Sequence, residues 1–277
     1  MTRLQYLTLQ LTVFAMLILF LPDSSTAAPK SDLWARWQVY AEESTDVVDH
    51  SAWDLLLQKY VVADHPSGIN RFLYKHVSPG DRDVLETYVH RLQQVRVSGL
   101  NREEQKAYWL NLYNSMTVKI VLDHYPVKTI RDIDISPGLF QDGPWDAKLL
   151  SIEGEPVSLN DIEHRILRPI WQDNRVHYGL NCASLGCPNL LPKAFTAVDL
   201  EEMLESGAMQ YVNHPRGVRV GKRLRVSSIY KWFQEDFGST EQGVVDHLLL
   251  FADDELAAAL KKKSKGLRYA YDWQLNE

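Results

Sequence analysis

Hydrophobic and aromatic residues recur at three- and four-residue steps through the first hundred positions. Trp34, Trp37 and Tyr40 are followed by Trp53, Leu56, Leu57, Tyr60 and Val61. Tyr74 to Val97 continues the pattern through Leu85, Tyr88, Val89, Leu92 and Val95. That period predicts helices over residues 31–100 with the aromatics in their core. Asn101, followed three residues later by Glu104, predicts the start of a long helix through about His124. Leu110, Tyr113, Thr117, Ile120 and Val121 form its apolar stripe, and Pro126 closes it. Asn111, Asn114 and Ser115 fall on another face, close enough to form one polar cluster able to orient a substrate or a catalytic side chain.

Beyond Lys128 the period changes. Leu149, Ser151 and Val157 flank Glu153-Gly154-Glu155-Pro156, which predicts a hairpin. Ser158 with Asp161 caps a helix that turns Leu159, Ile162 and Ile166 inward. Arg175 to Leu180 alternates as a strand, and a second hairpin spans Val218–Val226 around Gly221. A helix from Ser227 or Ser228 buries Ile229, Trp232, Phe233 and Phe237. Another after Gly243 ends in Lys261-Lys262-Lys263, which complements the helix dipole. Tyr269, Tyr271, Trp273 and Leu275 alternate as a final strand. The expected class is α+β: a helix-rich single domain with a small, mainly antiparallel sheet.

The first residues read differently. Arg3 precedes an apolar run from Leu11 to Leu21, Pro22 ends it, and Ser25-Thr26-Ala27 offers small residues for a signal peptidase. The run is shorter than the ~20 residues that cross a bilayer. The expectation is therefore a Sec-type signal peptide over 1–27, cleaved after about Ala27, and a periplasmic or secreted product with no stable membrane insertion. A helical preface over 28–100 and a core over 101–277 complete the expected organisation.

Charge and cysteine count narrow the chemistry. The 277 residues hold 30 Lys and Arg against 36 Asp and Glu, a net charge of −6, which argues against nucleic acid as the partner. The expected partner is a small molecule or a peptide. Cys182 and Cys187 are the only cysteines, too few for a disulfide scaffold. A zinc site from both with His177 and His164 lacks the usual ligand spacings, so neither metal nor cofactor is expected.

The most unusual stretch runs from Arg175 to Pro188, where a predicted strand enters a small-residue turn. If Asn181 caps a helix, Cys182 sits at its first position. The dipole and free amides there favour the thiolate and could hold an oxyanion, with Asn181 and Ser184 lining the substrate. His177 and His164 are the candidate bases. A fully extended strand puts His177 ~16 Å from Cys182, whereas His164 is not so constrained. Glu163 points about 100° away from its neighbour His164 on a 3.6-residue turn, so it serves another histidine or an arginine. Three readings remain open for the cysteines: nucleophilic catalysis, a structural disulfide, and redox or thiol binding.

Three motifs carry a resemblance. Tyr108-Trp109-Leu110-Asn111-Leu112-Tyr113-Asn114, then Ser158-Leu159-Asn160-Asp161-Ile162-Glu163-His164, then His177-Tyr178-Gly179-Leu180-Asn181-Cys182-Ala183-Ser184 with Cys187-Pro188 resemble the family called domain of unknown function 547. The likeness extends through Tyr271-Asp272-Trp273, roughly over residues 100–277. It implies that Glu163, His164, His177 and Cys182 form the core of the motif, and that serine can replace Cys187 in relatives. One cysteine with two histidines and an acid is similar to the thiol-hydrolase logic of papain- and transglutaminase-like enzymes in a rearranged chain order. The resulting expectation is an exported cysteine-dependent hydrolase or acyltransferase acting on an amide or thioester. Its catalytic set is Cys182, His177, His164 and Glu163, supported by Asn181, Ser184, Asn111 and Asn114. The alternative is a non-catalytic thiol- or peptide-binding or redox-responsive module using Cys182 and Cys187.

Overall fold

The computed structural model describes residues 29–138, 142–262 and 266–277. The expected signal segment and Lys263 lie outside the described residues.

The long helix is the axis of the molecule. It spans Arg102–His124 (α3), with the Asn101 side chain accepting from the Glu104 amide at 2.9 Å. The Glu104 carboxylate does not return to Asn101; it accepts from the Val48 amide at 2.8 Å and pins the preceding segment. Burial of α3 extends well beyond the predicted stripe and reaches Gln105, Lys106, Asn111, Asn114 and Ser115. Such a helix can be this polar because these five side chains have partners, although the buried Thr117 hydroxyl has none. Gln105 donates to the carbonyls of Val39 and Val97, and Lys106 pairs with Asp173 at 2.6 Å.

The preface is part of the same core. Helix Pro79–Leu92 (α2) packs on α3 and helix Ser51–Tyr60 (α1) packs on α2, and the Trp37 and Trp109 rings meet edge-on at 5.1 Å. The predicted helix from Tyr74 begins only at Pro79, where the Ser78 hydroxyl accepts from the Asp81 amide at 3.1 Å. Val61–Val62 (β1) pairs antiparallel with Arg71–Phe72 (β2), a ladder that the helical period concealed because Val61 also fits the i, i+4 spacing.

Leu150–Ile152 (β3) and Glu155–Val157 (β4) form the predicted hairpin. Its two turn residues, Glu153 and Gly154, both have positive φ, 47° and 83°, the backbone that a tight two-residue hairpin requires. The described strands form three small, mainly antiparallel sheets where one was expected, in keeping with the expected α+β class. The first two are the antiparallel pairs above. The third is Val218–Arg219 (β5) antiparallel to Arg225–Ser227 (β6), with Arg268–Ala270 (β7) parallel to β6. The predicted final strand ends at Ala270, and Leu275 instead bridges to Ser184.

The helix after β4 is a π-helix over Asp161–Leu167 that continues as Arg168–Trp171 (α4). A short helix follows at Val176–Gly179 (α5), then Leu200–Val212 (α6), Ile229–Trp232 (α7), Glu241–Phe251 (α8) and Asp254–Lys262 (α9). Two apolar cores result. One is built on α1–α3, the first hairpin and the π-helix; the other on α6, the third sheet, α8 and α9. Tyr178 belongs to the second core and Leu180 to the first, so the chain leading to Cys182 lies where the two meet. The whole is helix-rich with small, mainly antiparallel sheets, an α+β protein.

Candidate functional site

The π-helix carries Glu163 and His164, and its irregularity has a cause. The Arg168 amide reaches back five residues to the Glu163 carbonyl, and Pro169 has no amide to offer the next carbonyls. The carbonyls of His164 and Arg165 are met from outside, by the amides of Asp32 at 3.0 Å and Trp34 at 2.9 Å. The chain start is thereby strapped to the helix.

The segment expected as a strand from Arg175 to Leu180 is helical instead over Val176–Gly179. Asp173 starts it by accepting from both the Arg175 amide and its guanidinium at 2.9 Å. All four residues of α5 are buried, so alternation could not mark one solvated face. The His177 ring has partners other than the Cys182 sulfur. Its Nε2 lies 2.7 Å from Asp236 Oδ2 and its Nδ1 3.6 Å from Glu163 Oε1, with the ring stacked on Phe233 at 4.4 Å. Burial opposes charging this ring, yet the two carboxylates outweigh it and raise its pKa above the ordinary value. Both ring nitrogens face carboxylates, an arrangement that favours the doubly protonated ring over one with a lone pair free to act as a base.

Burial also raises the cost of ionising Glu163, but the charges of His164, His177 and Arg168 hold it down to about 2. The Tyr113 hydroxyl donates to its other oxygen at 3.3 Å. His164 is held below its usual pKa by burial and meets Arg168 Nη1 at 3.1 Å. Arg168 is itself buried, pairs with Asp236 at 2.6 Å and Glu235 at 2.7 Å, and donates to the Pro29 carbonyl at 2.9 Å. Glu163, His164, His177, Arg168 and Asp236 thus form one buried ionic network. Asp236 had no sequence signal beyond its charge, because it lies far from the motif.

The cysteine loop is organised otherwise. No helix begins at Asn181, which corrects the expected N-cap and the dipole argument for a thiolate at Cys182. The Asn181 side chain accepts from the Ala183 amide at 2.9 Å and donates to the Pro188 carbonyl at 2.8 Å. Ala183 adopts φ 59°, which turns the chain back on itself. The loop then zips onto the C-terminal segment through Leu185 N to Gln274 O and Gly186 N to Asp272 O, both 2.8 Å. A Cβ on Gly186 would stand 2.9 Å from the Asp272 backbone, so only glycine lets these chains approach.

Cys182 and Cys187 are joined as a disulfide, with Cα atoms 6.2 Å apart. Cys182 is half-buried, whereas Cys187 is 3% exposed. The Cys187 sulfur accepts from the Cys182 amide at 2.9 Å and from the Tyr271 hydroxyl at 3.1 Å. The Cys182 sulfur lies 3.1 Å from the same hydroxyl and 3.4 Å from Ser184 Oγ. Ser184 in turn donates to Tyr271 at 3.0 Å. The side-chain partners of the two sulfurs are hydroxyls, and no imidazole is among them.

The expected substrate-binding amides are occupied by backbone. Asn111 donates to the Phe195 carbonyl at 2.7 Å and accepts from its amide at 3.0 Å. Asn114 does the same to Gly179 O at 2.8 Å and Asn181 N at 2.9 Å. With Asn181 similarly engaged, these three side chains hold the backbone of the loop and of the segments beside it. Ser184 alone of the expected binding set touches a reactive atom. Tyr271 was visible in the sequence as part of a C-terminal motif, though its role at the sulfurs was not.

A helix-rich α+β protein with a partly exposed disulfide at the junction of two cores is the class these observations define. Residues 97–212 match the family described as "Protein of unknown function, DUF547". The matched span includes α3, the π-helix and both cysteines; Asp236 and Tyr271 lie beyond it. No curated protein and no solved structure matches the chain.

Proposed function

We propose that the protein is an exported, periplasmic or secreted thiol–disulfide module, in which Cys182 and Cys187 exchange with a partner thiol on a small molecule or peptide. The supporting observation is the asymmetry of the two sulfurs. Cys182 is reachable; Cys187 is buried and already holds two hydrogen-bond donors. In the exchange step a partner thiolate attacks Cys182 Sγ, the partner S–S bond forms, and the Cys182–Cys187 bond breaks. The electron pair leaves on Cys187. The Cys182 amide and Tyr271 hydroxyl stabilise that thiolate, which makes it the better leaving group. The reverse attack by Cys187 releases the partner thiolate. An exported chain meets the oxidising conditions in which such a pair closes.

The hydrolase or acyltransferase reading, acting on an amide or thioester, has less support. It needs a free Cys182 thiolate and a neutral imidazole beside it, and His177 is committed to Glu163 and Asp236. The deciding experiment is thiol titration of the folded protein before and after mild dithiol reduction. The exchange reading expects no free thiol as isolated and two after reduction, with no loss of fold. A pair that resists reduction until the protein unfolds overturns it.

A further inference from the structure

Arg216 sits beside the disulfide loop. Its guanidinium donates from Nη2 to Asn189 Oδ1 at 2.6 Å and from Nη1 to the Leu185 carbonyl, inside the disulfide ring, at 3.5 Å. The group lies over the Tyr211 ring at 5.3 Å, and the Tyr211 hydroxyl holds the next loop carbonyl, Gly186 O, at 2.6 Å. Its Nε is buried with no hydrogen-bond partner. Among the described residues no carboxylate pairs with it, whereas Arg168 and Arg175 each hold two or more. A half-buried cation without a counter-ion is costly, and the cost falls when an anion is brought to it. The field of Arg216 also reaches Tyr271, the residue that touches both sulfurs.

We propose that Arg216 makes the Cys182–Cys187 disulfide selective for anionic thiols, those carrying a carboxylate near the sulfur. The inference rests on the exchange reading above and names its substrate class. Arg216 is a specificity residue. It supplies the charge that draws the carboxylate to the loop, and Cys182 Sγ takes the thiolate. Glu163, a carboxylate whose charge also reaches Tyr271, is held by Tyr113 and His177 and so repels less than a free one.

The test uses the full chain, oxidised, with three probes: 3-mercaptopropionate, 2-mercaptoethanol and cysteamine, which are anionic, neutral and cationic. Each rate of reduction of the Cys182–Cys187 pair is divided by that thiol's rate with hydroxyethyl disulfide, which removes intrinsic reactivity. The wild type is expected to favour the anionic over the cationic thiol about tenfold at low salt. Arg216→Met should bring that ratio below about twofold, and Arg216→Lys should keep most of it. Should Arg216→Met fail to fold, the wild type in 1 M NaCl carries the test, since screening should likewise collapse the ratio. A ratio near one in the wild type, or one that survives Arg216→Met or high salt, overturns the proposal. Failure of 2-mercaptoethanol to reduce the folded protein at all would instead remove the exchange reading on which it stands.

Discussion

Replacing Asn114 by alanine separates a structural role from a ligand-binding one. The carboxamide is 4% exposed, and its two ends hold the Gly179 carbonyl and the Asn181 amide, the backbone on either side of Leu180. Alanine removes both partners and leaves both buried backbone groups unpaired. A lost hydrogen bond costs about 1 kcal/mol when water can replace it, and about 1–3 kcal/mol when a buried group is orphaned. Two orphaned groups place the expected loss at roughly 2–6 kcal/mol, a large share of the ~5–15 kcal/mol that holds a domain together. Urea unfolding of Asn114→Ala against wild type, with unchanged m-value, measures it. Asn111→Ala, which orphans the two groups of Phe195, should cost a similar amount. A loss below about 0.5 kcal/mol for Asn114→Ala, the size typical of surface positions, would refute the assignment of this side chain to the fold.

Acid should destabilise the protein well above carboxylate pKa values. Burial lowers His50 and His247 to about 4, and His50 Nε2 and His247 Nδ1 have no partner to receive a proton. The unfolded chain binds those protons near pH 6.5, so stability should fall as pH drops from 6.5 to 4, by on the order of 3 kcal/mol per histidine. His177 has the opposite sign: its pKa is raised, so its contribution is complete below pH 6.5 and is lost as pH climbs through the folded value. Denaturant unfolding at pH 7, 5.5 and 4 checks the direction; flat stability across that window contradicts it. Arg168→Met should cost about 3 kcal/mol by leaving Asp236 without its guanidinium, read as a shift in urea midpoint. Tyr271→Phe should slow thiol reduction of the disulfide about tenfold, since the Cys187 thiolate loses one of its two donors; an unchanged rate in stopped-flow assays would remove Tyr271 from the step.

How much of this could be read from the chain depended on range. The Asn101 cap, the Glu153-Gly154 turn and the Ser158–Asp161 pair are local devices, and the structure contains all three. The α5 turn defeats the alternation rule because Val176, His177, Tyr178 and Gly179 are all buried, so their alternation carries no information about a sheet face. Asn111 and Asn114 were recognisable as a cluster, but their partners lie 84 and 65 residues away, out of reach of any spacing rule. The same holds for Asp236 on His177 and Tyr271 on the sulfurs, 59 and 89 residues distant. Local hydrogen bonding is written in short motifs; the ion pairs and loop clamps are decided by packing.

On the proposed exchange reading, Cys182 and not Cys187 is the sulfur a partner reaches in the folded protein. Incubating Cys187→Ser and Cys182→Ser separately with oxidised glutathione, under native conditions, and weighing the products by intact mass spectrometry tests it directly. The account predicts a mixed disulfide on Cys182 in the Cys187→Ser protein and little or none on Cys187 in the other. Equal labelling of both, or labelling of neither before unfolding, would contradict it.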